Sequence, residues 1–273
     1  GSAQAAKDLG IEISWLGTER EDQRAKQIAI VDSQVINQMD GIVLAPLDGQ
    51  ALLKPVKEAV QKKIPVVIMD SALVDGDPWI TSFVATDNFA GGELAGRALA
   101  ENLNQRGNVI MLRHQEGSAS TGKREEGFLQ ALKQFPNIRV LSAEQYGGRD
   151  PQKAAENLLH RFLQGEKTPI HGIFCPNLTT TYGMMQALRR ARLAGKIQLV
   201  GFDSDASLVQ GLEAGEIHGL VLQDPFQIGY RGVQTMVQHL RGKKVEDRVD
   251  TPLILVTSKN LKDPKVQTLL QTP

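Results

Sequence analysis

The chain has 273 residues, 41% of them hydrophobic, which is enough apolar surface for one large core or two modest ones. Its 31 basic and 31 acidic residues cancel and are interspersed, so the sequence offers no electrostatic surface to nucleic acid or to an anionic membrane. Cys175 is the only cysteine, which excludes an internal disulfide and a cysteine-rich metal site, and no apolar run approaches the roughly 20 residues that span a bilayer.

In chain order, short apolar runs alternate with amphipathic stretches. IEISWLG (11–17) reads as a strand, and residues 21–39 form a helix with Ala25, Ile28, Ala29, Val35, Ile36 and Met39 on one face. GIVLAP (41–46), a helix around 52–62, IPVVIMD (64–70) and ITSFVATD (80–87) follow. After a helix over 89–104 a second series begins with NVIMLR (108–113), IRVLSAE (138–144), IHGIFC (170–175), IQLVGFD (197–203) and IHGLVLQ (217–223). Nearly continuous apolar strands, each followed by a helix, indicate parallel sheets covered on both faces. Asp150-Pro151, Asp224-Pro225 and Asp263-Pro264 each put a capping carboxylate before a proline at the first helical position. Two such series predict an α/β chain of two doubly wound parallel-sheet lobes, and the lack of a Gly-, Pro- or Ser-rich linker predicts close-set crossings between them.

Doubly wound sheets bind ligands beyond the carboxyl ends of their strands. The residues there are Asp70 and Ser71, Asp87 and Asn88, the loop from His114 to Arg124, Tyr146, Asn177, Asp203 and Gln223. Carboxylates and side-chain amides can bridge neighbouring hydroxyls, an arginine fork can donate to ring oxygens, and a tyrosine ring can cover an apolar C–H face. Any one of these residues could simply cap a helix. As a set they suit a polyhydroxylated ligand. His114, His160, His171, His218 and His239 never stand at i, i+4 or in a His-x-His pair, so neither a metal nor another cofactor is expected.

The best enzyme candidate is GSASTGKR (117–124), which meets the first part of a phosphate-loop pattern. The next position, however, is Arg124, where a Ser or Thr hydroxyl should hold Mg²⁺. Ser118 and Ser120 lack the G-x-S-x-G turn that exposes a nucleophile, and no catalytic site is expected.

VATDNFAGG (84–92), KREEGF (123–128), FCPN (174–177), VGFDSD (200–205) and VLQDPFQIGYRGV (221–233) occur in that order. Together they resemble the ribose-binding, or type I periplasmic-binding-protein, family of sugar receptors, over essentially the whole chain. The resemblance implies ligand contacts from Asp70, Arg124, Tyr146, Asn177, Asp203 and Gln223, with Phe202 lining the same site. It also implies three hinge crossings, near 87–88, 223–224 and 253–256. One lobe would then comprise 1–87 with 225–254, and the other 88–224 with 255–273. The implied mechanism is capture of a small sugar or polyol between the lobes, hinge closure, and delivery to a membrane ABC permease. Such a receptor is expected to be a monomer, periplasmic or extracellular and lipid-anchored.

The sequence departs from the family pattern at two places. Ser71 stands where ribose binders commonly carry an arginine, which favours a larger or differently substituted ligand. The opening GSAQAAKDLG resembles the latter half of the family's first helix, so its first strand is expected from residues upstream, lying between 11–16 and 42–45. Two other roles fit the same fold: the effector domain of a sugar-responsive transcription regulator, and the ectodomain of a sensor receptor.

Overall fold

The computed structural model describes residues 1–271. Its elements open with α1 (Ser2–Leu9), α2 (Arg24–Ile36), β1 (Ile42–Leu44), α3 (Leu53–Gln61), β2 (Val66–Met69), β3 (Ser82–Thr86) and α4 (Asn88–Asn102). They continue with β4 (Arg106–Met111), α5 (Ala119–Leu132), β5 (Asn137–Ser142), α6 (Pro151–His160), β6 (Gly172–Phe174) and α7 (Leu178–Arg190). Last come β7 (Gln198–Phe202), α8 (Ala206–Glu213), β8 (Gly219–Gln223), α9 (Pro225–Leu240), β9 (Arg248–Thr251), β10 (Leu253–Val256) and α10 (Pro264–Gln271). Among the described residues no helix is long and apolar enough to cross a membrane.

The chain divides into two compact units, and its assignment changes at Asp87/Asn88, Gln223/Asp224 and Pro252/Leu253. The first unit also includes the short segment Gly117–Ser120. Its sheet runs in the order β1-β2-β3-β9, and every pair is parallel. Successive side chains on a strand point to opposite faces. Ile42, Leu44, Val66 and Ile68 therefore meet Val31 and Val35 of α2 and Val56 of α3, while Val67 and Val84 meet Met236 of α9 on the other face. α1 packs on α9 through Ala5 against Val233 and Val237.

The second unit carries a six-stranded sheet in the order β10-β8-β7-β6-β4-β5, parallel except for β10 against β8. Alternation divides its core in the same way. Ile110, Ile173, Leu199 and Leu220 face α6, α7 and α8, whereas Met111, Phe174, Val200 and Val221 face α4 and α5. Phe128 of α5 stacks on Phe174 with ring centres 4.3 Å apart. Asp150 caps α6 by accepting from Lys153 N at 2.9 Å, and Asp224 caps α9 by accepting from Gln227 N at 2.9 Å. This is the expected α/β architecture of two doubly wound sheets joined by crossings. The last two residues of the expected second lobe lie outside the described residues.

Three expectations are corrected. Residues 11–17 form no strand; they have no ladder partner, and Trp15 and Leu16 are left 73% and 52% exposed. A strand draws its hydrogen bonds from a neighbour, so an apolar alternation without one stays irregular. Among the described residues β1 pairs with β2 alone, and 11–16, not being a strand, does not pair with it. On α2, Ile36 is 73% exposed and not on the buried face, which is carried by Val31 and Val35. The expected loop from His114 to Arg124 is helical from Ala119 onward, so Arg124 projects from the second turn of α5.

Candidate functional site

In the second unit, the carboxyl ends of β6, β7 and β8 converge on Arg124. Its side chain is 3% exposed, and its donors are used one by one. Nε donates to Asn88 Oδ1 at 2.8 Å, and Nη1 donates to Pro176 O at 2.9 Å. The guanidinium carbon lies 3.8 Å from the centre of the Phe202 ring. Nη1 also stands 3.6 Å from Asp203 Oδ2, an ion pair beyond hydrogen-bond distance. Asp203 follows β7 with φ 65°, a left-handed conformation that asparagine and aspartate tolerate better than most residues. Its Oδ1 accepts from Gln223 Nε2 at 2.8 Å, and 26% of its side chain remains open. Arg124, Phe202, Asp203 and Gln223 are thus brought together.

Asn177 joins the group through its neighbour Pro176. Its side chain caps α7: Oδ1 accepts from Thr180 N at 3.2 Å and from Thr180 Oγ1 at 2.6 Å. Its Nδ2 donates to Thr179 Oγ1 and to His114 Nδ1, both at 3.1 Å. Thr181, which the sequence did not single out, donates from Oγ1 to Asn177 O at 2.7 Å and accepts from Phe202 N at 3.3 Å. That hydroxyl ties the start of α7 to the end of β7 and so fixes the backbone from which Phe202 and Asp203 project.

Tyr146, named from the sequence, lies in a second cluster with Arg113 and Glu125 that the sequence did not single out. Arg113 lies over its ring at 4.5 Å from the centre, and Arg113 Nε donates to Glu125 Oε2 at 2.6 Å. Burial pushes the Glu125 carboxyl above its ordinary range, against the opposing hydrogen bond and charge of Arg113. Burial likewise raises the Tyr146 phenol. The only sequence signal was an arginine directly after the apolar run 108–112.

In the first unit, Asp70 follows β2 with φ 64°, and its backbone N–H donates to Val84 O at 3.0 Å. Ser71 is buried, and its Oγ accepts from Ser120 N at 3.1 Å. Lys123 is exposed and pairs with Glu126 at 2.7 Å, so GSASTGKR does not present its lysine as a phosphate loop would. Burial pushes the Cys175 thiol up, which makes it a poor nucleophile. Among the described residues no group of three or more His, Cys, Asp or Glu could hold a metal ion.

Doubly wound units with arginine, carboxylate and amide groups gathered over an aromatic ring at the strand ends define a receptor for a small polar solute. The periplasmic binding protein domain family matches residues 1–244, and the chain belongs to this family, among the type I periplasmic sugar-binding proteins that serve ABC importers. The family works in the periplasm or outside the cell. A ribose import binding protein of Salmonella typhimurium is 30% identical, with 94% of this chain and 83% of the relative aligned. The D-allose-binding periplasmic protein of Escherichia coli is 30% identical over 90% of this chain and 80% of the relative. Among solved structures, a carbohydrate transporter solute-binding protein from Agrobacterium radiobacter, in complex with D-arabinose, superposes with a TM-score of 0.92. It is 33% identical and covers 99% of this chain and 92% of its own.

Proposed function

We propose that the chain captures a small sugar or polyol through Asp203, Arg124, Asn177, Gln223, Tyr146 and Phe202, with Asp70 as a further contact, and yields it to a membrane permease. The observation that carries this reading is the Asp203 carboxylate, anchored by Gln223 and Arg124 and still partly open. A carboxylate fixed in this way can accept from two neighbouring hydroxyls without first giving up a mobile conformation. The relatives' ligands, ribose, allose and arabinose, set the class of solute. Ser71 favours a sugar other than ribose, because a serine hydroxyl that accepts from Ser120 N replaces the guanidinium fork that ribose binders commonly carry there. The receptor acts as a monomer, free in the periplasm or lipid-anchored at the cell surface, and performs no chemistry on its ligand.

A thermal-shift screen over pentoses, hexoses and polyols tests the proposal. A ligand at 100 times its dissociation constant adds about 2.7 kcal/mol to stability. Asp203→Asn should then weaken the best ligand roughly ten- to a hundred-fold by titration calorimetry. Wild-type affinity in that variant, or no response to any sugar, would overturn it.

A further inference from the structure

Arg113 stands just beyond β4, at the same end of the sheet as Asp203, and is held from several sides. Its backbone N–H donates to Gln145 O at 2.8 Å, and its carbonyl accepts from Gly147 N at 2.7 Å. Nε is fixed on Glu125, and the guanidinium lies on the Tyr146 ring. Its two terminal nitrogens have no partner among the described residues, and the side chain is 30% exposed against 3% for Arg124. An arginine carries five N–H donors, so four remain open on a fork that no longer moves freely. An exposed arginine in an ion pair is usually structural and worth little. This one is different in being both stacked and bonded at a strand end. It also belongs to the network around Arg124. His114 N donates to Glu125 Oε1 at 3.4 Å, and the His114 ring meets Asn177, whose neighbour Pro176 accepts from Arg124.

We propose that Arg113 forms a second arginine subsite, which takes an oxygen acceptor on the bound sugar, either a hydroxyl or a carboxylate. The proposal rests on the sugar-binding reading above. Arg124 is buried and hydrogen-bonds within the protein from both Nε and Nη1, whereas Arg113 is part-exposed and does so from Nε alone. Arg113 therefore adds to the contact made by Arg124 and decides which substituted sugars fit.

The test is titration calorimetry on the full chain with D-arabinose, D-allose and D-glucuronate. Arg113→Met should weaken the best of these about tenfold or more, the loss of a charged hydrogen bond. Arg113→Lys keeps a charge beside Glu125 but not the planar fork, and should weaken it to an intermediate degree even if Arg113→Met folds poorly. Loss on the neutral sugars identifies a hydroxyl partner, and loss confined to glucuronate identifies a carboxylate. A deoxy form of the best sugar, lacking the contacted group, should bind the wild type and Arg113→Met alike, a result that a purely structural role would not produce. If both variants bind every sugar as the wild type does while Asp203→Asn is impaired, the subsite is wrong. If Asp203→Asn is also unimpaired, the sugar-site reading falls with it.

Discussion

Arg124 and Phe202 stack with 3.8 Å between the guanidinium carbon and the ring centre, and neither side chain is open to solvent. A buried guanidinium is tolerable only with partners, and here Asn88 and Pro176 take two of its donors while Asp203 balances the charge.

Arg124→Met should therefore be costly twice over. Asn88 Oδ1 and Pro176 O lose their donor and Asp203 loses its counter-charge, a loss of about 1–3 kcal/mol for each buried acceptor left unmet. Urea unfolding would measure it, and sugar binding should disappear in the variant that remains folded. Wild-type stability would mean that the guanidinium is not what holds these groups.

Two glycines on neighbouring helices make a contrasting pair. A Cβ on Gly92 of α4 would run into the carbonyl of Arg124, while one on Gly122 of α5 would meet nothing within 4 Å. Gly92→Ala should push α5 away, losing about 1–3 kcal/mol and weakening the sugar through Arg124. Gly122→Ala should instead add about 0.4–1 kcal/mol, by restricting the unfolded chain. Thermal melts of the two variants should move in opposite directions.

Two groups give stability a pH dependence of opposite sign. Burial raises the Glu125 carboxyl, so the folded chain binds that proton more tightly than the unfolded chain. Its contribution is complete below the ordinary value of 4.5 and is lost as the pH rises through the raised one. His218 is lowered by burial, and its Nδ1 accepts from Leu199 N at 3.1 Å. Its contribution is present above the ordinary 6.5 and is lost as the pH falls through the lowered value. Denaturation midpoints measured across this range should fall less steeply above 4.5 in Glu125→Gln and less steeply below 6.5 in His218→Gln. Unchanged slopes in both would contradict the assignment.

Ser82 Oγ is buried on β3 without a hydrogen-bond partner among the described residues. Ser82→Ala should cost nothing and gain up to about 1 kcal/mol, since the unmet hydroxyl is removed along with its lost hydration. A destabilised Ser82→Ala in a chemical melt would show that the hydroxyl is satisfied in solution.

The strands from 42 to 223 were legible because each is an apolar run with a neighbour to complete its ladder, whereas β9, whose RVDT is not apolar, was not. Residues 11–17 carry the same pattern and form no strand, since pairing is a property of the sheet and not of the segment. Asp203, Arg124 and Gln223 could be named because they follow strands or fall within a recognisable motif. Arg113 and Glu125, 12 positions apart, could not, because their contact depends on how the end of β4 meets the first turns of α5. Thr181 was hidden for a similar reason: its hydroxyl works on a backbone N–H 21 positions away.

Asp70 and Asp203 each close a strand in the left-handed region, with φ 64° and 65°, a conformation that glycine adopts without strain. Backbone strain at such positions is of order 1–3 kcal/mol and is held in place by the surrounding structure. Selection of this protein for heat resistance alone would thus tend to replace these two aspartates with glycine, and the survivors would be sturdier proteins that had stopped recognising their solute. A laboratory lineage evolved for thermal tolerance without any demand for binding should lose these carboxylates early, while a lineage held to growth on the transported solute should keep them and find its stability elsewhere.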